Sequence, residues 1–111
     1  MNISHLKRNE DFRNVFKKGR SFANRCFVMY VIKKEESEIR VGISVSKKVG
    51  NSVVRHRITR VVREVFRLYG AVFNSGLDIV VIARTGAVGI GLEQARKEIL
   101  HLGKLHKIVD N

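Results

Sequence analysis

The 111-residue sequence contains no proline, no tryptophan and a single cysteine, Cys26. One cysteine cannot form an internal disulfide, so the chain must fold on its apolar core alone. No apolar run approaches the roughly 18 to 20 residues that a membrane-spanning helix needs, and we therefore exclude a membrane protein. The N-terminus also lacks the charged and then apolar pattern of a secretory segment, which predicts a cytoplasmic protein.

The sequence also lacks any recognisable set of catalytic or metal-binding residues. It contains no carboxylate pair, no Ser/His/Asp set and no His/Cys cluster at the spacing of metal ligands. The segment GAVGIG, residues 86–91, has the order GxxGxG and not the GxGxxG of a dinucleotide loop. We therefore predict no catalytic residue, no metal site and no cofactor bound by the protein alone.

Acidic residues are scarce compared with basic ones. The chain has 22 Lys and Arg against 10 Asp and Glu, a formal net charge of +12. Residues 1–67 hold 17 basic and 6 acidic side chains, whereas residues 68–111 hold 5 and 4. A small, strongly basic domain is typical of proteins that bind a polyanion, with nucleic acid ahead of an acidic membrane surface.

Hydrophobic periodicity predicts one α+β domain over residues 1–111, a mixed sandwich with the sheet on one side and the helices on the other. The predicted helices are 9–18, 52–69 and 91–104. The predicted strands are 26–32, 39–46 and 77–83, with a charged hairpin loop at 33–38. We expect Asn9 to cap the first helix and Gly19 to end it in a left-handed conformation.

The predicted helix over 52–69 has cations on one flank and apolar residues on the other. At 100° per residue its core-facing arc runs from Leu68 to Val62. Five side chains form the cationic flank, opposed only by Glu64: His56, Arg57, Arg60, Arg63 and Arg67. A solvated helix face normally mixes charges of both signs, because opposite charges three or four residues apart stabilise it. The flank therefore indicates binding of a phosphate backbone, for which the planar arginine fork is well suited.

Further donors lie near the start of this helix, which is itself an anion site. They are Lys47, Lys48 and Asn51, while Arg55 stands on the far side of the apolar arc. Contacts to about six phosphates would make log K fall with log salt at a slope of about −4 to −5. Such contacts position a protein without reading base sequence.

Aromatic residues indicate a second surface. Phe12 and Phe16 lie one helical turn apart, and Tyr30 shares strand parity with Val28. If the residues on the opposite side of that strand face the core, these side chains adjoin the small face that contains Ser44. The resulting trough of Phe12, Phe16, Val28, Tyr30 and Ser44 would stack single-stranded bases. Spacing alone leaves open that the two phenylalanines are ordinary core residues.

Four blocks of sequence carry a resemblance to a known family. They are KRNEDFRNVFKKG at 7–19, SFANRCFVMY at 21–30, RVGISVSKKVGNSVVRHRITRVVRE at 40–64 and DIVVIAR at 78–84. The segment RHRITR at 55–60 is similar to the arginine-rich signature of that family, with His56 where asparagine is usual. The sequence thus resembles the protein subunit of bacterial ribonuclease P, the ribonucleoprotein that removes 5′ leaders from precursor tRNA.

The resemblance implies an αβββαβα fold with a left-handed βαβ crossover. It also implies that the RNA subunit and its bound Mg²⁺ perform hydrolysis, so that the protein is a non-catalytic subunit of an endoribonuclease. The basic helix would bind the ribonuclease P RNA and the trough would hold the leader of precursor tRNA. We expect a monomer when the protein is alone. The alternatives are a stand-alone structured-RNA-binding or ribosome-associated protein and, less favoured, a protein nuclease in its own right.

Overall fold

The computed structural model describes residues 3–110 and contains five strands and three longer helices within that range. The strands are β1 (Ile3–His5), β2 (Arg20–Ala23), β3 (Phe27–Lys33), β4 (Ile39–Ser44) and β5 (Leu77–Ala83). The helices are α1 (Asn9–Lys18), α2 (Ser52–Tyr69) and α3 (Leu92–Leu105). Short 3-10 turns occur at Gly70–Val72 and Thr85–Ala87. After β1, the order of elements is the expected αβββαβα.

The five strands form one mixed sheet in the order β1-β4-β5-β3-β2. β4 is parallel to β1 and β5, whereas β3 is antiparallel to β5 and β2. The predicted α+β class and mixed sheet are confirmed. The crossover from β4 through α2 to β5 joins two neighbouring parallel strands, and its left-handedness stays a prediction.

The hairpin predicted at 33–38 is wrong, because β5 lies between β3 and β4. The connection instead passes the start of β5, where the Lys34 N–H donates to the Gly76 carbonyl at 2.7 Å and the Gly76 N–H donates to Ser37 at 3.2 Å. Gly76 has φ +75°, and a Cβ there would lie 2.6 Å from the Lys34 carbonyl oxygen. Alternation within a strand reports which face is buried but not which strand is its neighbour. The local pattern therefore could not reveal the insertion.

Helices cover both faces of the sheet, and the predicted arrangement with all helices on one side is wrong. On one face, Phe27 and Met29 of β3 are fully buried in the core that includes α2 and α3. On the other face, Val15 of α1 packs with Val80 of β5, and both are fully buried. The central strand β5 is apolar on both sides, so each face needs a covering layer.

The ends of α1 differ from their prediction. Asn9 is the first helical residue, and Arg8 occupies the N-cap position without a side-chain hydrogen bond. Gly19 is extended, with φ −80°, and not left-handed. A small residue is needed there for close packing, because a Cβ on Gly19 would lie 2.5 Å from the Val15 carbonyl oxygen.

The buried side of α2 is rotated slightly from the predicted arc. Leu68 remains 46% exposed, while Phe66 is 3% exposed and takes a place in the core. Phe66 packs tilted against Phe73, which follows the short 3-10 turn, with 5.2 Å between ring centroids. The turn after α2 thus supplies an aromatic partner that the helical wheel could not include.

A buried ion-pair network joins four segments of the chain. Asp78 at the start of β5 is 2% exposed. It accepts two hydrogen bonds from Arg40, at 2.9 and 2.7 Å, and its Oδ1 lies 2.9 Å from the Lys34 ammonium. Arg40 also lies 3.7 Å from Asp11 of α1. The network therefore ties α1 and β4 to the inserted strand.

Candidate RNA interface

The exposed flank of α2 carries the cations that the sequence placed there. Ile58, Val62 and Val65 point into the core and are essentially inaccessible. The cationic strip consists of His56, Arg57, Arg60, Arg63 and Arg67, all of which are exposed. Apolar contacts hold the helix, so the charged flank is free to face a partner.

Most of the cationic strip has no counter-charge within the protein. Arg67 pairs with Glu64, with 2.9 Å between Nε and Oε2, and this hydrogen bond lowers the pKa of Glu64 and raises that of Arg67. Within residues 3–110, the other four members of the strip form no ion pair and no side-chain hydrogen bond. Like charges this close repel one another, so an external anion would stabilise the arrangement.

The residues before α2 form a turn next to the strip. Lys47 and Lys48 are exposed on the turn closed by the Val49 N–H to Ser46 carbonyl hydrogen bond of 3.1 Å. Asn51 is the N-cap of α2, and its side-chain oxygen accepts from the Val54 N–H at 3.0 Å. The sequence predicted Asn51 as an RNA contact, and the structure gives it this capping role.

Arg55 lies apart from the cationic strip. It is half-buried, and its Nε donates to the Gly50 carbonyl at 3.2 Å. Thr59 donates from its hydroxyl to the Arg55 carbonyl oxygen at 3.0 Å. Arg55 therefore braces the turn before α2 and is placed between that turn and the helix.

The aromatic residues predicted for the trough come together across α1 and β3. The Phe16 and Tyr30 rings meet edge to face with 5.1 Å between centroids, and Phe12 lies 6.5 Å from Phe16. Phe12 also lies over Gly42, where an added Cβ would be 2.6 Å from the ring. Phe12 is partly a core residue, since it packs with the buried Val15, whereas Phe16 is 39% exposed.

Strand register places the remaining trough residues in one row. Val28 of β3 pairs with Ile82 of β5, and Ile82 also pairs with Ser44 of β4. All three side chains are half-buried. The leader trough, as we use the term, consists of Phe12, Phe16, Val28, Tyr30, Ser44 and Ile82. Sequence reasoning missed Ile82, because its place in this row depends on the insertion of β5 between β3 and β4.

The leader trough and α2 lie on opposite faces of the sheet. The trough is on the α1 face, whereas α2 packs on the face formed by Phe27 and Met29. The segment from Val45 to Asn51 connects the end of β4 at Ser44 to the start of α2. This segment, with Lys47 and Lys48, therefore links the two surfaces.

Other kinds of site were sought over the same residues. Within residues 3–110, no three His, Cys, Asp or Glu side chains converge in a way that could hold a metal ion. No helix in this range is both long and apolar enough to span a bilayer. The chemical features of the described surface are thus a band of cations and an aromatic trough.

Comparison with known proteins identifies a family. The family described as Ribonuclease P matches residues 2–107. The Ribonuclease P protein component of Lachnoclostridium phytofermentans is 56% identical over 106 residues, covering 96% of this chain and 91% of the relative. The solved structure of the Staphylococcus aureus RNase P protein superimposes with a TM-score of 0.85 at 40% identity, covering 96% of this chain and 97% of the other. The RNase P protein from Thermotoga maritima gives 0.82 at 33% identity, over 91% and 96%.

Proposed function

The chain belongs to the Ribonuclease P family, and from this premise we propose a distinct role for each of its two surfaces. The cationic strip, with Lys47, Lys48 and Arg55, binds the ribonuclease P RNA subunit. The leader trough holds the single-stranded 5′ leader of precursor tRNA. The protein component thereby positions the substrate on the RNA, and the partners are the RNA subunit and precursor tRNA.

The observation that carries this proposal is the unpaired charge on α2. Arg57, Arg60 and Arg63 have no carboxylate partner within the described part of the chain, although Glu64 lies among them. A guanidinium can donate two parallel hydrogen bonds to one phosphate, and these charge-assisted bonds are among the stronger ones in proteins. A folded RNA presents phosphates at the spacing of a helix flank and supplies the missing counter-charge.

The leader trough suits bases and not phosphates. Its lining is apolar and aromatic, and Phe16 keeps an exposed ring edge-on to Tyr30. Stacking of a single-stranded base on an aromatic ring contributes about 1 to 3 kcal/mol with little preference for base identity. The trough therefore favours substrates that carry a leader over mature tRNA, whatever the leader sequence.

Hydrolysis belongs, in this proposal, to the RNA subunit with its bound Mg²⁺. Residues of this chain supply affinity and orientation: α2 anchors the protein on the RNA, and the trough on the other face holds the strand to be removed. Holding the leader in place raises the effective concentration of the scissile bond at the catalytic RNA. We expect the gain to be largest at low Mg²⁺, where RNA alone binds substrate weakly.

Reconstitution tests the proposal directly. The purified protein is added to ribonuclease P RNA and precursor tRNA at low Mg²⁺, and release of the 5′ leader is followed. We expect the protein to stimulate cleavage by the RNA and to cleave nothing by itself. Binding to RNA without stimulation would instead support a stand-alone RNA-binding protein, and cleavage by the protein alone would support a nuclease.

A further inference from the structure

A separate group of cations lies at the end of β3 opposite to Val28. Lys18 ends α1, Arg20 begins β2 and Lys33 ends β3. Together with His106, which follows α3, their side chains line one groove whose floor is Val31 and Ile32. We call Lys18, Arg20, Lys33 and His106 the basic groove.

The three cations of the basic groove are not neutralised by the protein. Within residues 3–110, Lys18, Arg20 and Lys33 form no ion pair and no side-chain hydrogen bond. The adjacent Lys34 differs, since its ammonium lies 2.9 Å from Asp78 and 3.5 Å from Glu36. The Arg20 guanidinium carbon lies 5.7 Å from the Phe22 ring centroid, a cation–π contact that uses none of its N–H donors.

His106 is held in this groove by two contacts. Its Nε2 lies 2.8 Å from the Met29 carbonyl oxygen, and its ring meets Phe22 edge to face at 4.7 Å. A carbonyl oxygen only accepts, so Nε2 carries the proton and donates, which leaves Nδ1 as the second polar atom of the ring. The imidazole is therefore oriented by the protein interior and not by solvent.

The charges around His106 are all of one sign. Burial lowers its pKa below the usual 6.5, the bond to Met29 opposes this, and Arg20 and Lys33 lower it further. Arg20 approaches from β2, Lys33 from β3 and Lys18 from α1, and no carboxylate lines the groove within the described residues. An anion in the groove would remove this unfavourable field.

We propose that the basic groove binds a backbone phosphate of RNA, as a third contact distinct from the cationic strip and the leader trough. Three clustered cations around an oriented imidazole favour a compact anion with several acceptor oxygens, which describes a phosphodiester. Because the protein is a component of a ribonucleoprotein, RNA backbone is the phosphate at the highest local concentration.

The groove is spatially separate from the other two surfaces. Val28 in the trough and Lys33 in the groove are five residues apart on one strand, about 16 Å at 3.3 Å per residue. α1 crosses the sheet between them, where Phe16 packs on Tyr30. α2 lies on the β4 side of the opposite face, beyond α3. An RNA strand in the trough would have to pass over α1 to reach the groove.

Nuclear magnetic resonance of the isolated protein tests the site. The probe is a single-stranded octamer of uridylate, and the readout is the His106 ring resonance followed across pH. We expect the octamer to shift this resonance and to raise its protonation midpoint, because a phosphate stabilises the imidazolium. The double variant Arg20→Gln, Lys33→Gln should lose both effects, whereas the charge-matched control Lys7→Gln, Lys97→Gln should keep them. An unchanged His106 resonance in the wild-type protein would overturn the proposal.

Binding measurements then identify which RNA supplies the phosphate. The same two double variants are compared for affinity to the RNA subunit and, as holoenzymes, for precursor tRNA with leaders of three and ten nucleotides. The groove variant should lower the salt slope by about 0.7 to 0.9 for each phosphate lost. A change in the first arm assigns the phosphate to the RNA subunit, a change confined to the longer leader assigns it to the distal leader, and a change with both leaders assigns it to the tRNA body. No change in any arm overturns the proposal. Failure of the wild-type protein to stimulate cleavage would contradict the proposed function but would not affect the resonance result.

Discussion

At the scale of single residues, the members of the cationic strip are not equivalent. Glu64 holds Arg67 with two hydrogen bonds, at 2.9 and 2.5 Å, and thereby uses the fork that would otherwise meet a phosphate. Arg57 and Arg60 have no such partner in the described chain. Sequence spacing grouped these arginines together, and the geometry distinguishes them.

This difference predicts unequal effects of substitution. Arg57→Ala and Arg60→Ala should each weaken binding to the RNA subunit and make the salt slope shallower by about 0.7 to 0.9. Arg67→Ala should have a smaller effect, because its charge is already partly neutralised. Filter binding or anisotropy over a salt series measures both quantities. Equal losses for Arg57→Ala and Arg67→Ala would show that the internal pair opens on binding.

Phe16 is the trough residue best suited to a clean test, because its ring is exposed and contributes little to the core. Phe16→Ala should reduce the preference of the holoenzyme for precursor over mature tRNA by about 1 to 3 kcal/mol, the worth of one stacked base. Leu105→Ala, at 41% exposure on α3, is a matched control. Dissociation constants for the two substrates give the ratio, and thermal unfolding verifies the fold. A ratio unchanged by Phe16→Ala would remove the ring from leader binding.

At the scale of elements, Asp78 joins the connection before β4, β4 itself and α1 to β5. Burial alone would raise the pKa of Asp78, but hydrogen bonds from Arg40 and Lys34 hold it below the usual 3.8. The carboxylate is therefore charged throughout the neutral range, and its partners are satisfied. Removal of the charge would leave Arg40 and Lys34 without a counter-ion in a largely dry site.

Asp78→Asn should lower the free energy of unfolding by about 3 kcal/mol, because one partner of a buried pair is lost. Glu64→Gln, which alters an exposed pair, should leave it almost unchanged. Stabilisation by Asp78 is present above its unfolded pKa and disappears as the pH falls through the lower folded value. Urea unfolding from pH 7 down to pH 2 should therefore show a loss of stability below about pH 4 that is smaller in the Asp78→Asn variant. Equal acid sensitivity of the two proteins would contradict this account.

Elements with a strong local pattern were predictable, and their arrangement was not. The spans of α1 and α2 agree with helical periodicity, and β5 agrees with its apolar run. β1 and β2, with three and four residues, are too short to show a period. The position of β5 and the placement of α1 on its own face depend on contacts distant in sequence. Phe12, Phe16 and Tyr30 were identified for the trough, whereas Ile82 needed the register.

At the scale of the whole molecule, the sheet separates two RNA-binding surfaces. The trough is on the α1 face and α2 is on the other, so both RNAs can be engaged at once without competing for residues. The fully buried side chains between them, such as Val80 and Met29, form a rigid partition. Each surface should therefore act without altering the other.

Independence predicts additivity. In the double variant Arg57→Ala, Phe16→Ala, the losses in free energy of RNA-subunit binding and of leader preference should equal the sums of the single losses within about 0.5 kcal/mol. A double-mutant cycle on the holoenzyme measures the coupling. A coupling well above that value would mean that RNA binding at α2 reshapes the trough.

The insertion of β5 also governs when the protein can fold during translation. The strand at the centre of the sheet is the last of the five to leave the ribosome, since domains fold as the chain emerges. Until residues 77–83 arrive, β3 and β4 have no common neighbour, and the nascent α2 exposes its arginines and its apolar side together. The RNA-binding helix is thus synthesised before the platform that presents it, and assembly with RNA awaits the C-terminal third of the chain.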